Sequence, residues 1–230
     1  MSVSVVPAIF LALVFVLTKV DNGVALNQEL SAKNKLEQLS EHVLNSKESV
    51  KKTFKTSQKL SDIQLEKDMK AIYSFITEKF NKITETDAKE ITDNLINYGK
   101  KYDLDPKIAA AVIARESGFQ KKAVSNTGAK GLGQIKDFNF KNLKISDPYN
   151  INQNINGTVK YLKEMVDNWN KEPNTNITST KQPETEHEKV KLALASYYKG
   201  FTGVKKTGVD KKTEEYIDDI LDYYNEIAKD

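Results

Sequence analysis

The sequence has no cysteine and only two histidines, His42 and His187, in 230 residues. Without cysteine there is no disulfide framework, no thiol nucleophile and no thiolate metal site. The histidines stand far apart with no motif around either, which argues against a His-based metal centre or a Ser-His-Asp triad. No metal and no other cofactor is expected. A surplus of one charge is also missing: 35 Lys and Arg face 32 Asp and Glu, for a net charge of +3. So balanced a chain is not built as a nucleic-acid sink, and no nucleic-acid partner is expected. Charged residues at 29% and a mean hydropathy of −0.56 exclude a polytopic membrane protein. Strand patterning is lacking as well, since no run between Leu26 and Asp230 shows a convincing period of two. What remains is a chain whose 39% apolar residues allow a real core. Its length suits one domain of ordinary size plus a segment outside it.

The chain opens on an apolar run, Val3 to Leu17, interrupted by Pro7 and ended by Lys19 and Asp21. Its length fits a signal-peptide h-region better than a full membrane span, with Gly23-Val24-Ala25 as a small-residue cleavage site. The absence of Lys or Arg before it leaves the alternatives of an uncleaved membrane anchor through residues 3–17 and of a buried strand. Either export reading puts the rest of the chain outside the cytoplasm, in the periplasm, the cell wall or beyond. Residues 1–25 are taken as this leader.

From Glu29 to Ile83 there is no Pro or Gly, and apolar residues recur with many spacings of three and four: Leu36, Leu39, Val43, Leu44, Val50 and Phe54, then Leu60, Ile63, Met69, Ile72, Tyr73, Ile76, Phe80 and Ile83. The pattern predicts two helices or one broken helix, ragged between Phe54 and Leu60. Met69, Ile76 and Ile83 repeat every seven with Tyr73 and Phe80 between them, a packing seam that is either internal or between chains. Residues 26–86 are accordingly expected to be a helical extension, a spacer or a docking arm for self-association or a protein partner. Thr84-Glu85-Thr86-Asp87 reads as a linker in which Thr86 or Asp87 caps the next helix. The domain proper is expected over 87–230, helical throughout, with a polar loop at 170–187. Asp105-Pro106 starts a helix and Gly118 stops it. Three glycines close together, Gly128, Gly131 and Gly133, mark tight turns.

Glu116 is the carboxyl that stands out, as a candidate general acid or, by its position alone, as a surface residue or an arginine partner. It ends the otherwise apolar helix Ala109-Ala110-Ala111-Val112-Ile113-Ala114-Arg115. The helix dipole disfavours negative charge there, and if the site is also partly buried, both effects raise its pKa. A carboxyl that holds its proton near neutral pH is what a general acid needs.

Several blocks then fall in a familiar order. Glu116-Ser117-Gly118-Phe119, Ala123-Val124-Ser125, Gly128-Ala129, Gly131-Leu132 and Gln134-Ile135 come first. Asp147-Pro148 with Asn154-Ile155-Asn156-Gly157, Leu192 to Gly200, and Glu215 to Leu221 follow. This resembles the soluble lytic murein transglycosylases, the SLT domain related to goose-type lysozyme, over roughly residues 95–225. The resemblance implies an all-α, lysozyme-like fold preceded by the helical extension, and peptidoglycan glycan strands as the partner. It implies cleavage between N-acetylmuramic acid and N-acetylglucosamine without water. Glu116 protonates the leaving oxygen and then helps the muramoyl 6-hydroxyl close a 1,6-anhydro ring. Ser117, Gln134, Tyr197 and Tyr198 are the further residues implied to bind substrate or orient the glutamate, Tyr197 by a hydroxyl contact to Glu116. Two positions depart from the family pattern. Gly133 stands where Met is usual, which predicts a gap beside the sugar, and Tyr198 stands where Asn is usual. These departures keep open a catalytically weak wall-binding or structural protein, and the same fold leaves open a lysozyme-type hydrolase.

Overall fold

The computed structural model describes residues 22–171 and 185–229. The apolar leader at 3–17 and most of the polar loop at 170–187 lie outside the described residues. Within them the fold is all-α: α1 (Asn22–Lys79), α2 (Glu85–Tyr102), α3 (Pro106–Ser117), α4 (Asp137–Leu143), α5 (Ile151–Lys171), α6 (Glu186–Lys199), α7 (Phe201–Thr207) and α8 (Lys211–Ala228). No described helix is long and apolar enough to cross a membrane.

The chain divides into two units, with the boundary at Leu60 and Ser61. In the first, α1 is continuous through the stretch expected to break, and Leu36, Leu39, Val43, Val50 and Phe54 are exposed. The second unit begins at Ser61, well before the expected boundary at residue 87. Ala71, Ile72, Phe75 and Ile76 belong to its core, and Met69, Tyr73, Phe80 and Ile83 pack against that core. The heptad seam is therefore internal. The segment after Lys79 is a short turn, so the polar Thr84–Asp87 stretch joins two packed helices instead of separating domains. Phe75, Phe80, Phe119 and Tyr223 close this side with edge-to-face contacts, Phe80 to Phe119 at 5.0 Å between centroids. Such pairs add to the burial of their rings.

Helix ends follow local chemistry. Thr84, not Thr86 or Asp87, caps α2: its side chain accepts the Asp87 N–H at 3.1 Å. Asp105 caps α3 by accepting the Lys107 N–H at 2.9 Å, Pro106 takes the first helical position, and Gly118 ends the helix at φ 55°. Thr185 and Glu188 form a reciprocal capping box, so α6 starts at Glu186, two residues before the expected Glu188. Likewise α5 keeps Asn170 and Lys171, which the polar loop was expected to hold. The Gly200–Gly208 loop contains a short helix, α7, and the glycine-rich region is followed by another, α4.

α3 is the centre of this unit. Ile108 through Ala114 are all buried, which is the signature of a helix covered on every side. Its run of alanines lets α2, α5 and α8 approach closely. Around it Leu95, Ile155, Leu194 and Ile220 are fully buried. The single tryptophan, Trp169, joins this core and satisfies its indole N–H on Ser196 Oγ at 3.0 Å. Because α3 is so enclosed, its last turn delivers Glu116 to the edge of the core and not to open water.

Candidate active site

Glu116 is half-buried at the C-terminal end of α3. Tyr216, on the buried face of α8, donates its hydroxyl to Glu116 Oε1 at 2.6 Å. Burial pushes the Glu116 carboxyl above the ordinary carboxylate range. The Tyr216 hydrogen bond and the charge of Arg115 oppose that push without cancelling it. Tyr216 is only 3% exposed, and burial together with the neighbouring carboxylate holds its phenol well above the usual tyrosine range. It therefore stays a donor. Arg115 pairs through its Nε with Asp219 at 2.6 Å, and its guanidinium lies 5.5 Å from the Tyr216 ring centroid.

Tyr197 is not the hydroxyl on Glu116. It donates to the Gly133 carbonyl at 2.7 Å, so its one proton is committed to the glycine-rich loop, and Tyr216 occupies the expected role. Tyr197 is nonetheless close enough that the Glu116 charge, after burial, helps raise its pKa well above the ordinary value. Tyr198, the next residue of α6, stacks on the Tyr216 ring at 4.6 Å with 23° between planes.

The loop beside the glutamate is a tight hairpin in which Lys130 and Ile135 exchange backbone hydrogen bonds of 3.0 and 3.1 Å. Asn154, fully buried on α5, pins it: its amide donates to the carbonyls of Pro148 at 2.8 Å and Lys130 at 3.2 Å, and its oxygen accepts the Gly133 N–H at 2.8 Å. A Cβ at Gly131 would stand 2.2 Å from the Asn154 amide nitrogen. At Gly133 a Cβ would stand 1.9 Å from Thr158 Oγ1. The expected gap at Gly133 is thus absent, because Thr158 fills it. Gln134 takes a left-handed backbone, φ 50°, and its side-chain amide donates to the carbonyls of Gly131 at 2.9 Å and Ala123 at 3.2 Å. Ser117 is buried, with its hydroxyl on the Ile113 carbonyl at 3.3 Å. Both side chains make hydrogen bonds to backbone around the site.

The structure so brings Glu116, Tyr216 and Tyr198 into one contact series, and sets Tyr197 and Gln134 in and against the adjoining loop. Among the described residues, no group of three or more His, Asp or Glu is placed to hold a metal. A separate cavity of about 420 Å³ lies among Ile108, Leu162, Val166, Val190 and Leu221, with His187 at its lining, and none of the site residues faces it. Tyr216 escaped the sequence reading. Its signal was present: it lies on the same apolar face of α8 as Ile217 and Ile220, and a tyrosine on a core face needs a partner for its hydroxyl.

The family profile described as Transglycosylase SLT domain matches residues 93–220, more than half of the chain. The chain belongs to this family. Every site residue above, Glu116 to Tyr216, falls inside the SLT match. Among similar proteins, the transglycosylase of Enterobacteria phage PRD1 is 35% identical over 69 residues, 30% of this chain and 26% of that protein. A membrane-bound lytic murein transglycosylase F from Cronobacter sakazakii is 31% identical over 101 residues, 43% of this chain and 17% of that protein. The chain thus spans about a quarter or less of these relatives. Among solved structures, an inactive mutant of lytic transglycosylase Slt from Pseudomonas aeruginosa aligns with a TM-score of 0.46 at 18% identity, over 60% of this chain and 24% of that one. The 70 kDa soluble lytic transglycosylase from Escherichia coli aligns at 0.47 and 18%, over 69% and 29%.

Proposed function

We propose that this SLT domain is a peptidoglycan lytic transglycosylase that cleaves the bond between N-acetylmuramic acid and N-acetylglucosamine, with Glu116 as its single general acid and base. The observation that carries the reading is a carboxyl held at the rim of an apolar core, raised in pKa by that burial, and hydrogen-bonded by one buried phenol. Burial thus favours its protonated form, the form a general acid needs. It gives that proton to the glycosidic oxygen as the bond to the muramoyl anomeric carbon breaks. The resulting carboxylate is stabilised by Tyr216, whose hydrogen bond strengthens as the charge forms. The carboxylate then takes the proton of the muramoyl 6-hydroxyl while that oxygen bonds to the anomeric carbon. The ring closes as a 1,6-anhydro end and Glu116 is again protonated. One carboxyl suffices because the nucleophile is part of the substrate and is held close to its target. This differs from glycosidases that need a second carboxylate for water or for a covalent intermediate.

A peptidoglycan substrate would be met outside the cytoplasm, which an exported chain would reach. The test is mass spectrometry of muropeptides released from purified peptidoglycan by the protein and by Glu116→Gln. The expected result is anhydromuramoyl ends from the parent, reduced by about two to four orders of magnitude in the variant. Reducing ends in their place would assign hydrolysis instead, and no released product from folded protein would refute the enzyme reading.

A further inference from the structure

Tyr198 departs from the pattern the sequence resembles, and its surroundings give that departure a use. It sits in the last turn of α6 directly after Tyr197, which is buried at 8% exposure, whereas Tyr198 is 42% exposed. One face of its ring is covered by Tyr216 in a near-parallel stack at 4.6 Å. Since that face is closed, the exposure belongs to the opposite face and the edge. Among the described residues its hydroxyl makes no hydrogen bond, although Tyr197, Tyr216 and Tyr224 each donate to a named oxygen. The ring beneath it is fixed: Tyr216 is buried, hydrogen-bonded to Glu116 at 2.6 Å and flanked by the Arg115 guanidinium, itself held by Asp219. Tyr198 is therefore a rigid, open aromatic face one ring removed from the general acid, carrying a free donor and acceptor at its tip.

We propose that Tyr198 is a saccharide-stacking subsite, which takes the C–H face of a pyranose of a β-1,4-linked N-acetylated glycan and registers it against Glu116. The proposal rests on the function assigned above for its substrate class. A pyranose offers an apolar face of axial C–H bonds and a rim of hydroxyls. An aromatic ring with a polar tip matches both, and its two side-chain torsions are already fixed by the stack, so little ordering remains on binding. Asparagine at this position would hold the sugar by an amide alone. Tyrosine replaces that directional contact with a platform that binds by area.

The experiment measures binding of the β-1,4-linked N-acetylglucosamine hexasaccharide by calorimetry to the full chain carrying Glu116→Gln, so that no turnover intervenes. In that background Tyr198→Ala weakens binding by about tenfold, the scale of one lost aromatic contact. Tyr198→Asn weakens it similarly, Tyr198→Phe falls between, and Tyr198→Trp tightens it. A merely structural role for the side chain would not produce the gain with Trp. Circular dichroism confirms that each variant is helical. Equal affinity across the series, or no measurable binding by the Glu116→Gln parent, overturns the subsite. Release of anhydro ends by the unmutated protein reads the reaction separately. A flat affinity series with anhydro products sinks the subsite alone, and a graded series without such products sinks the assigned reaction alone.

Discussion

Replacing Gly133 with alanine tests whether the glycine is a gap or a fit. The added Cβ would lie 1.9 Å from Thr158 Oγ1, 2.8 Å from its Cγ2 and 2.9 Å from its Cβ. None of these is the free end of a flexible chain. Thr158 is fully buried in α5, and its hydroxyl is held on the Asn154 carbonyl at 2.9 Å. The loop cannot retreat cheaply either, because Gly133 donates to Asn154 at 2.8 Å and accepts from Tyr197 at 2.7 Å. Overpacking of this kind costs about 1–3 kcal/mol. Losing either loop hydrogen bond would add about 1 kcal/mol more. For a chain of this size a loss near the middle of that range is a fall on the order of 6 °C in Tm. The assay is thermal unfolding of the parent, Gly133→Ala, Thr158→Ala and the double variant. Thr158→Ala removes the two nearest atoms, so the cost of Gly133→Ala should shrink in its presence by about 1 kcal/mol or more. Strict additivity of the two changes, or a Gly133→Ala variant as stable as the parent, would refute the packing argument and restore an open gap beside the site.

Three further predictions follow from the same geometry. Tyr216→Phe removes the hydrogen bond that lowers the Glu116 pKa, so the alkaline limb of the pH–rate profile moves to higher pH, while kcat falls about tenfold or more because the carboxylate loses its donor; a limb that stays in place refutes the pairing. Glu116 is raised in the folded state, so the stability linked to its protonated form is complete below the ordinary value of 4.5 and is lost as the pH rises through the raised folded value. Glu116→Gln is therefore more stable than the parent near neutral pH, and the two Tm values converge toward about pH 4. Asn154→Ala leaves the Gly133 N–H and the Lys130 and Pro148 carbonyls without their partner, which costs about 1–3 kcal/mol and speeds amide hydrogen exchange at Gly133; unchanged exchange there would show that the loop is pinned by something else.

Much of this protein was legible from order and spacing alone. The all-helical class and the cap and stop of α3 at Asp105 and Gly118 rest on local rules, which also place Glu116 at the end of that helix. Helix propensity, capping and apolar period act within a few residues, and one sequence displays them. Tertiary structure decided the rest, because it turned on which surfaces meet. The polar Thr84–Asp87 stretch looked like a domain boundary, yet Phe75 and Phe80 bury themselves against Phe119 and draw the end of α1 into the core. Gly133 looked like a missing side chain, but α5 passes so close that Thr158 already occupies the place. Tyr197 was assigned the hydroxyl on Glu116, and the packing of α8 against α3 gave that contact to Tyr216, one hundred positions along the chain from its partner. Spacing along a helix says which face a tyrosine is on. Only the crossing of two helices says which oxygen its proton reaches.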